Sequence, residues 1–323
     1  MLDILEASEK QSRQYIDAQA LMRAHADALA DAAQVRGSMI WRELRGVRYL
    51  IRTSAASAQK TIGPDKADTQ AICARFMERK QAATARVKSL GARLEEQRKL
   101  NRVFAVGRAP NVIVKVLQAL QKAGIAEQFL TVGTNAIYAY ESACGVRVGS
   151  EAMATRYTDL LFDTRQRTAF VSTLRRLDSS LLAVLRKADP SFRVLRDQLQ
   201  TAVNDDGYEV DIIRRTAKDG DPHPLRMSAS EDDLWAVQVS SGEKMVSGRK
   251  FGQLVVSASG HMAQMQTLHP LDFIRVKTKL SADSQRDPLK RPKDDLQARV
   301  VQSLWDEHGL QFVANAQEKP DTA

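Results

Sequence analysis

The sequence predicts an α+β fold, in which a small mixed β-sheet is flanked by helices, with a helical N-terminal extension and a helical C-terminal part. Three observations predict this class. Apolar residues recur three and four positions apart in two long stretches of the first hundred residues, which is typical of amphipathic helices. Short apolar runs bounded by turn residues fill the middle of the chain, which is typical of strands. Helical spacing returns after Pro270.

The composition is that of a globular protein with a large core. Of 323 residues, 43% are hydrophobic, and 48 Lys and Arg against 39 Asp and Glu give a net charge of +9. No apolar run approaches the roughly 20 residues of a membrane span, and the N-terminus lacks the layout of a signal peptide. We therefore expect a cytoplasmic protein with no membrane partner. The excess positive charge favours phosphate-bearing partners, either nucleotides or nucleic acids.

Several common site classes have no counterpart in the sequence. The five histidines are scattered without HExxH spacing, and Cys73 and Cys144 stand outside any CxxC pair. No GxxxxGK[ST] segment is present. We therefore expect no zinc site, no disulfide framework and no P-loop.

The first predicted region, residues 1–109, contains two long helices and a small β-hairpin. The first helix is predicted from residue 3 to about 35, the hairpin at residues 38–53, and the second helix at residues 68–100. Between residues 75 and 102, nine Lys and Arg accompany three Glu. Such a helix presents either a solvated face or a surface for nucleic acid, and both interpretations stay open.

The second predicted region, residues 110–225, is the core. It begins with a helix framed by Pro110 and Gly124, since proline favours helix starts and glycine helix ends. The strand predicted at residues 129–132 runs into a Gly-Thr-Asn turn and a further helix. The third region, residues 226–323, is predicted to hold a further hairpin and the C-terminal helices.

Two acidic residues interrupt strands that are otherwise apolar. Asp159 lies in the segment Thr158-Asp159-Leu160, and Asp211 lies between Val210 and Ile212. An unpaired buried carboxylate is costly, so each acid needs a partner. Neighbouring strands would bring both carboxylates to one divalent cation, and Mg²⁺ with substrate phosphates is the usual occupant of such an oxygen site. The Gly-Thr turn at a helix start is a natural phosphate site.

These segments resemble the polymerase-β-type nucleotidyltransferase superfamily, in which a Gly-Ser turn is followed by an Asp-x-Asp strand and a third acid. The segments GTNAIYAYESACGVR, ATRYTDLLFDTR, YEVDIIR and FIRVKTKLS, with the later RDPLKRPKDD, resemble a bacterial nucleotidyltransferase-like family more closely. This resemblance implies transfer of NMP from an NTP to a hydroxyl of RNA, tRNA or protein, with Mg²⁺ or Mn²⁺ as cofactor. Some similar proteins resemble toxins or defence components, which implies an inhibitory partner protein.

The resemblance also implies roles for individual residues. Asp159 would ligate the catalytic metal, and Asp211 would be the third carboxylate, positioning or activating the acceptor hydroxyl. The residues implied in nucleotide binding are Gly133, Thr134, Asn135 and Lys277, the last as a phosphate or structural contact.

One position departs from the family pattern. The strand should read Asp-x-Asp, yet Tyr157 stands two residues before Asp159. A phenol with a pKa near 10 is a poor metal ligand at neutral pH. Glu209 could restore the missing metal-binding carboxylate, because it shares a strand face with Asp211, whereas Asp163 lies about 13 Å along its strand. The protein is therefore either an enzyme with an incomplete set of metal-binding carboxylates, or a protein that has lost catalysis and binds nucleotide or nucleic acid.

Overall fold

The computed structural model describes residues 2–54, 57–218 and 220–318. The chain forms two compact units, one of residues 13–100 and one of residues 1–12 with 101–323. The α+β class predicted from the sequence is confirmed, while the predicted region boundaries at residues 109 and 225 stay predictions.

The elements are named in chain order within the described ranges. The strands are β1 (Ile4–Glu6), β2 (Ser38–Leu44), β3 (Val47–Thr53), β4 (Gln59–Pro64), β5 (Phe129–Val132), β6 (Val146–Val148), β7 (Tyr157–Phe162), β8 (Arg193–Val194), β9 (Thr201–Val203), β10 (Glu209–Arg215), β11 (Leu225–Arg226), β12 (Trp235–Val239), β13 (Lys250–Val256) and β14 (Met262–Leu268). The helices are α1 (Glu9–Gln34), α2 (Ala67–Val103), α3 (Asn111–Ala123), α4 (Ile137–Cys144), α5 (Ser150–Met153), α6 (Arg167–Arg176), α7 (Leu181–Arg186), α8 (Gly242–Ser247), α9 (Pro270–Ala282), α10 (Arg291–Glu307) and α11 (Leu310–Glu318).

The 13–100 unit combines two long helices with a three-stranded antiparallel sheet in the order β2-β3-β4. Leu21 and Ala28 of α1 pack with Leu90 of α2. Arg45 and Gly46 both have positive φ angles, 53° and 77°, as a tight hairpin turn requires. The predicted helices and hairpin are confirmed. Strand β4 escaped prediction because it contains little apolar sequence.

The second unit is built on a mixed sheet with the central order β12-β10-β7-β5. Strand β10 is parallel to β7 and β12, whereas β5 is antiparallel to β7. The two halves of β10 have different neighbours on one side, because β9 pairs with its first half and β12 with its second. The short strands β1 and β6 pair separately, so the predicted first helix begins at α1 rather than at residue 3.

The two faces of this sheet carry different hydrophobic clusters. Leu160, Val210 and Ile212 pack on one side with residues of α3, α6 and α7. Leu161 and Ile213 pack on the other side with residues of α4, α10 and the β13-β14 hairpin. Helices therefore cover both faces, as predicted for the core.

Local signals in the second unit behave as the sequence predicts. Helix α3 begins after Pro110 and ends at Gly124, which adopts a left-handed conformation. The hairpin β13-β14 and the helices after Pro270 also form as predicted. Cys73 and Cys144 are free. None of the helices among the described residues combines the length and apolar character needed to cross a bilayer.

Candidate active site

Two carboxylates lie side by side on the central strands. Strands β7 and β10 run parallel with Asp159 paired to Asp211. Because side chains alternate along a strand, both acids project to the same face as Leu161 and Ile213, which are buried. Neighbouring strands are about 4.8 Å apart. The fold therefore brings the two predicted acids together as direct neighbours.

The two carboxylates have different surroundings. Asp211 accepts a hydrogen bond from Thr201 Oγ1 at 2.5 Å, and Thr201 is its register partner on β9. Asp159 accepts no hydrogen bond from any described residue. Burial and the charge of Asp211 raise the pKa of Asp159 to about 6. Burial also raises the pKa of Asp211, while the Thr201 hydrogen bond acts in the opposite direction.

The turn after β5 lies directly against Asp159. Val132, the last residue of β5, pairs with Asp159, and Gly133 follows with a φ of +68°. A Cβ at this glycine would lie 2.5 Å from Asp159 Oδ2, closer than non-bonded atoms approach. Gly133 therefore suits its left-handed backbone conformation, and any larger residue there would have to displace the Asp159 carboxylate.

The next two residues are fixed by side-chain hydrogen bonds. Thr134 Oγ1 accepts from Gln297 Nε2 at 2.9 Å, and Thr134 lines the same cleft as Asp159. Asn135 is buried and does not line the cleft. Its amide donates to the carbonyl of Tyr157 at 2.8 Å and to the hydroxyl of Thr158 at 2.9 Å, which ties the turn to β7.

A cleft of about 620 Å³ contains these acids and faces a basic wall. The wall comes from α9, α10 and the loop between them; its cleft-lining basic residues are Lys277, Arg286, Lys290 and Lys293. Asp294 organises it, accepting from Lys277 Nζ at 2.7 Å and from Arg286 Nε at 2.9 Å. Burial lowers the pKa of Lys277, against the opposing effect of Asp294. Lys277 therefore makes an ion pair with Asp294, while its predicted role as a phosphate or structural contact stays a prediction.

The paired carboxylates fit a divalent cation. The fold holds two carboxylates next to each other, and the pKa of Asp159 is raised to about 6. Gly133 has no side chain, which leaves space beside the Asp159 carboxylate. Oxygen ligands from two carboxylates, completed by phosphate oxygens, are typical of Mg²⁺ sites. Glu209 also lines the cleft, opposite Tyr157 in the strand register. No group of three or more His, Cys, Asp or Glu suited to a metal ion occurs in the described part of the chain.

Asp163, the alternative second carboxylate, lies outside the cleft. Its side chain accepts from the backbone and guanidinium of Arg165, with side-chain distances of 2.8 and 2.7 Å. It caps the turn that leads into α6 and does not line the cleft.

A family model described as a nucleotidyltransferase matches residues 111–320, more than half of the chain. The chain belongs to this nucleotidyltransferase family. No match is found among curated proteins or among solved structures. Membership assigns nucleotidyl transfer from an NTP as the general chemistry. The matched range contains both carboxylate strands and the basic wall, whereas the 13–100 unit lies outside it.

Several residues of this cleft could not be predicted from the sequence. Thr201 and Gln297 are ordinary polar residues in the sequence, and only the tertiary fold places them against Asp211 and Thr134. The basic segment RDPLKRPKDD was a visible signal, because it supplies much of the wall. Its position opposite the carboxylates depends on how α9 and α10 pack over the sheet.

Proposed function

We propose that this protein is a divalent-metal-dependent nucleotidyltransferase that transfers NMP from an NTP to the hydroxyl of an RNA or protein acceptor. One observation carries the proposal: the neighbouring carboxylates of Asp159 and Asp211 face a basic wall across one cleft. A carboxylate pair suits a cation, and a basic wall suits phosphates. Together they match the charge pattern of a metal-bound triphosphate.

The residues divide into two groups by charge. Asp159 and Asp211 would hold Mg²⁺ or Mn²⁺, with Glu209 as a further candidate ligand. When bound, this ion supplies neutralisation of phosphate charge during displacement. Lys277, Arg286 and the two neighbouring lysines of the wall hold the triphosphate and stabilise the pyrophosphate leaving group. Backbone N–H groups of the Gly133-Thr134 turn add donors for phosphate oxygens.

The transfer is a substitution at phosphorus. The acceptor hydroxyl oxygen forms a bond to the α-phosphorus, and the bond from that phosphorus to the bridging oxygen of pyrophosphate breaks. Asp211 positions the hydroxyl and accepts its proton. Thr201 holds the Asp211 carboxylate in place for this step through its 2.5 Å hydrogen bond.

A lapsed nucleotide-binding or nucleic-acid-binding protein is the second candidate function. The observation that favours it is Tyr157, which lines the cleft on the face where the family pattern predicts a carboxylate. Tyr157 replaces a metal-binding carboxylate, which catalysis needs. The basic wall that would bind the triphosphate is intact, so nucleotide binding is retained more readily than catalysis.

Label transfer from α-³²P NTPs to total RNA and to lysate protein tests the proposal. The reactions contain Mg²⁺ or Mn²⁺ and compare the wild type with Asp159→Asn and Asp211→Asn. Asp206→Asn, an exposed acid in the turn before β10, is the matched control. We expect transfer by the wild type and the control, and none by the two site variants. Transfer at wild-type rate by either site variant contradicts the assignment. The absence of label transfer by the wild type and by every variant supports a binding protein without catalytic activity.

A toxin or defence role with an inhibitory partner is a finer form of the same proposal. It predicts that induced expression of the wild type arrests growth, that Asp159→Asn does not, and that a co-purified partner suppresses label transfer. Normal growth with active wild type excludes the toxin role and leaves the transfer chemistry intact.

A further inference from the structure

The net positive charge of the chain is concentrated in one unit. Residues 13–100 contain 17 Lys and Arg against nine Asp and Glu, a net charge of +8, while the rest of the chain has 31 against 30. This unit also lies outside the range matched by the nucleotidyltransferase family. The excess of positive over negative charge therefore lies in a separate compact unit and not in the unit that contains the cleft.

Most of these basic groups are available to an external partner. Within the part of this unit that the structure describes, ion pairs with acids involve Arg48, Arg86 and Arg98. Twelve of the 17 basic residues are arginines, whose planar guanidinium binds phosphate oxygens in a bidentate manner.

Four exposed arginines form a stripe along α2: Arg75, Arg79, Arg86 and Arg93. At 100° per residue they fall within about 40° around the helix axis and extend over about 27 Å. Arg86 is also paired with Asp31 at 3.2 Å, but both side chains stay about half exposed. A continuous stripe of this length suits an extended polyanion better than a small phosphate ligand.

The three-stranded sheet adds further exposed basic groups. Arg42, Arg45 and Arg48 follow one another around the β2-β3 hairpin, and Lys60 lies on β4. The guanidinium of Arg48 lies 5.5 Å from the ring centroid of Trp41. Basic side chains with interleaved aromatic rings are typical of surfaces that bind nucleic acid.

A membrane surface fits the arginine stripe on α2 less well. Membrane-bound basic helices leave an apolar face free to enter the lipid. The apolar face of α2 is already covered, because Leu90 packs with Leu21 and Ala28, and Val87 and Leu94 pack beside them. The stripe itself consists of exposed arginine side chains.

We propose that the 13–100 unit binds the phosphate backbone of a nucleic acid, and that this nucleic acid is the acceptor of the transferred NMP. The second half of this statement rests on the proposed function, whereas the first half stands on the charge distribution alone. RNA and DNA share the backbone chemistry, so the experiment includes both.

Fluorescence anisotropy of labelled RNA and DNA hairpins with the full-length protein at 50–200 mM KCl tests the binding surface. The variant Arg75→Gln/Arg79→Gln/Arg93→Gln removes three charges of the stripe and leaves the Arg86 ion pair. The matched control, Lys122→Gln/Arg176→Gln/Lys187→Gln, removes three exposed charges from the other unit. A third variant with lysine at the three stripe positions keeps the charge.

We expect the glutamine stripe variant to bind at least tenfold more weakly at 100 mM KCl. Its slope of log K against log salt should fall by about 2 to 3, since each phosphate contact contributes about 0.9. The control triple and the lysine variant should keep most of the wild-type slope. Equal losses in both glutamine triples, or the absence of salt-dependent binding by the wild type, overturns the proposal. Circular dichroism confirms that the variants are folded.

A second arm separates this proposal from the proposed function. Asp159→Asn should bind the hairpins like the wild type while transferring no label. Hairpin binding that depends on the stripe, without transfer by any variant, retains the binding surface and rejects the transferase. Label transfer to protein alone, with no binding of either hairpin, retains the transferase and rejects the nucleic-acid surface.

Discussion

Asp159 and Asp211 occupy the same register on adjacent strands, yet the structure treats them differently. Asp211 is held by the Thr201 hydroxyl on β9, so its carboxylate has a fixed orientation. Asp159 has no hydrogen-bond donor among the described residues and lies against Gly133. The negative charge of Asp159 is therefore the one that no hydrogen bond from a described residue stabilises, and a bound cation would stabilise it.

Replacement of Asp159 or Asp211 by asparagine should have the largest effect on transfer and should show how the two carboxylates differ in their effect on stability. Both variants should lose transfer by at least three orders of magnitude, because metal ligation and proton acceptance are lost. Asp159→Asn should also stabilise the metal-free protein at pH 7.5, by less than about 3 kcal/mol, since two pKa units correspond to about 2.7 kcal/mol. Asp211→Asn should stabilise less, because it disturbs the Thr201 hydrogen bond. Thermal melts in EDTA measure the difference.

The raised pKa of Asp159 also makes folding stability depend on pH. An unfolded Asp has a pKa near 3.9, whereas burial and Asp211 raise the pKa of folded Asp159 to about 6. The folded state therefore binds more protons between these values, so this group lowers stability as pH rises from about 4 to 6. Asp159→Asn should flatten that part of the curve. Parallel stability curves for wild type and variant from pH 4.5 to 7.5 would contradict the assignment.

Gly133→Ala should be the next most damaging change. The new methyl would meet Asp159 Oδ2 at 2.5 Å and displace the carboxylate, so we expect transfer to fall by about 100-fold. Gly207→Ala is the control, because Gly207 has a similar φ of +71° with open space around it. Both substitutions incur the cost of a left-handed alanine, of order 1 kcal/mol. Equal losses of transfer in the two variants would reduce the role of Gly133 to backbone conformation.

Tyr157→Asp tests whether the site lacks a carboxylate. The new acid would share a strand face with Asp159, as the observed register requires. We expect it to lower the Kd for Mn²⁺ at least tenfold, measured by calorimetry, and to increase transfer. Tyr157→Phe, which retains the ring, should leave the affinity unchanged. No gain from Tyr157→Asp, together with a loss from Glu209→Gln, would show that Glu209 already supplies the third carboxylate.

Thr201→Val should have the smallest effect. It retains the side-chain shape and removes the hydrogen bond that opposes the upward pKa shift of Asp211. The pKa of Asp211 should therefore rise further, and transfer should fall a few-fold at pH 7 with partial recovery at pH 8.5. A pH-independent loss would indicate that Thr201 acts only by positioning.

Sequence reasoning predicts the local parts of this structure well. Pro110 and Gly124 frame α3 because their backbone preferences act locally, and the Arg45-Gly46 turn forms for the same reason. The buried-strand argument also places Asp159 and Asp211 on the central strands. Their chemical roles stay predictions.

The rest of the site depends on non-local packing that no single segment encodes. The pairing of β7 with β10 joins residues about 50 positions apart, and Gln297 reaches Thr134 from a distant helix. Asn135 illustrates the limit: its place in the turn suggests a nucleotide contact, yet its amide faces β7.

A crystal structure with Mn²⁺ and a non-hydrolysable NTP tests the central claim most directly. We predict an anomalous peak beside the carboxylates of Asp159 and Asp211, with the triphosphate against Lys277, Arg286 and the neighbouring lysines. Mn²⁺ or triphosphate bound elsewhere, with the two carboxylates free of metal, would contradict it.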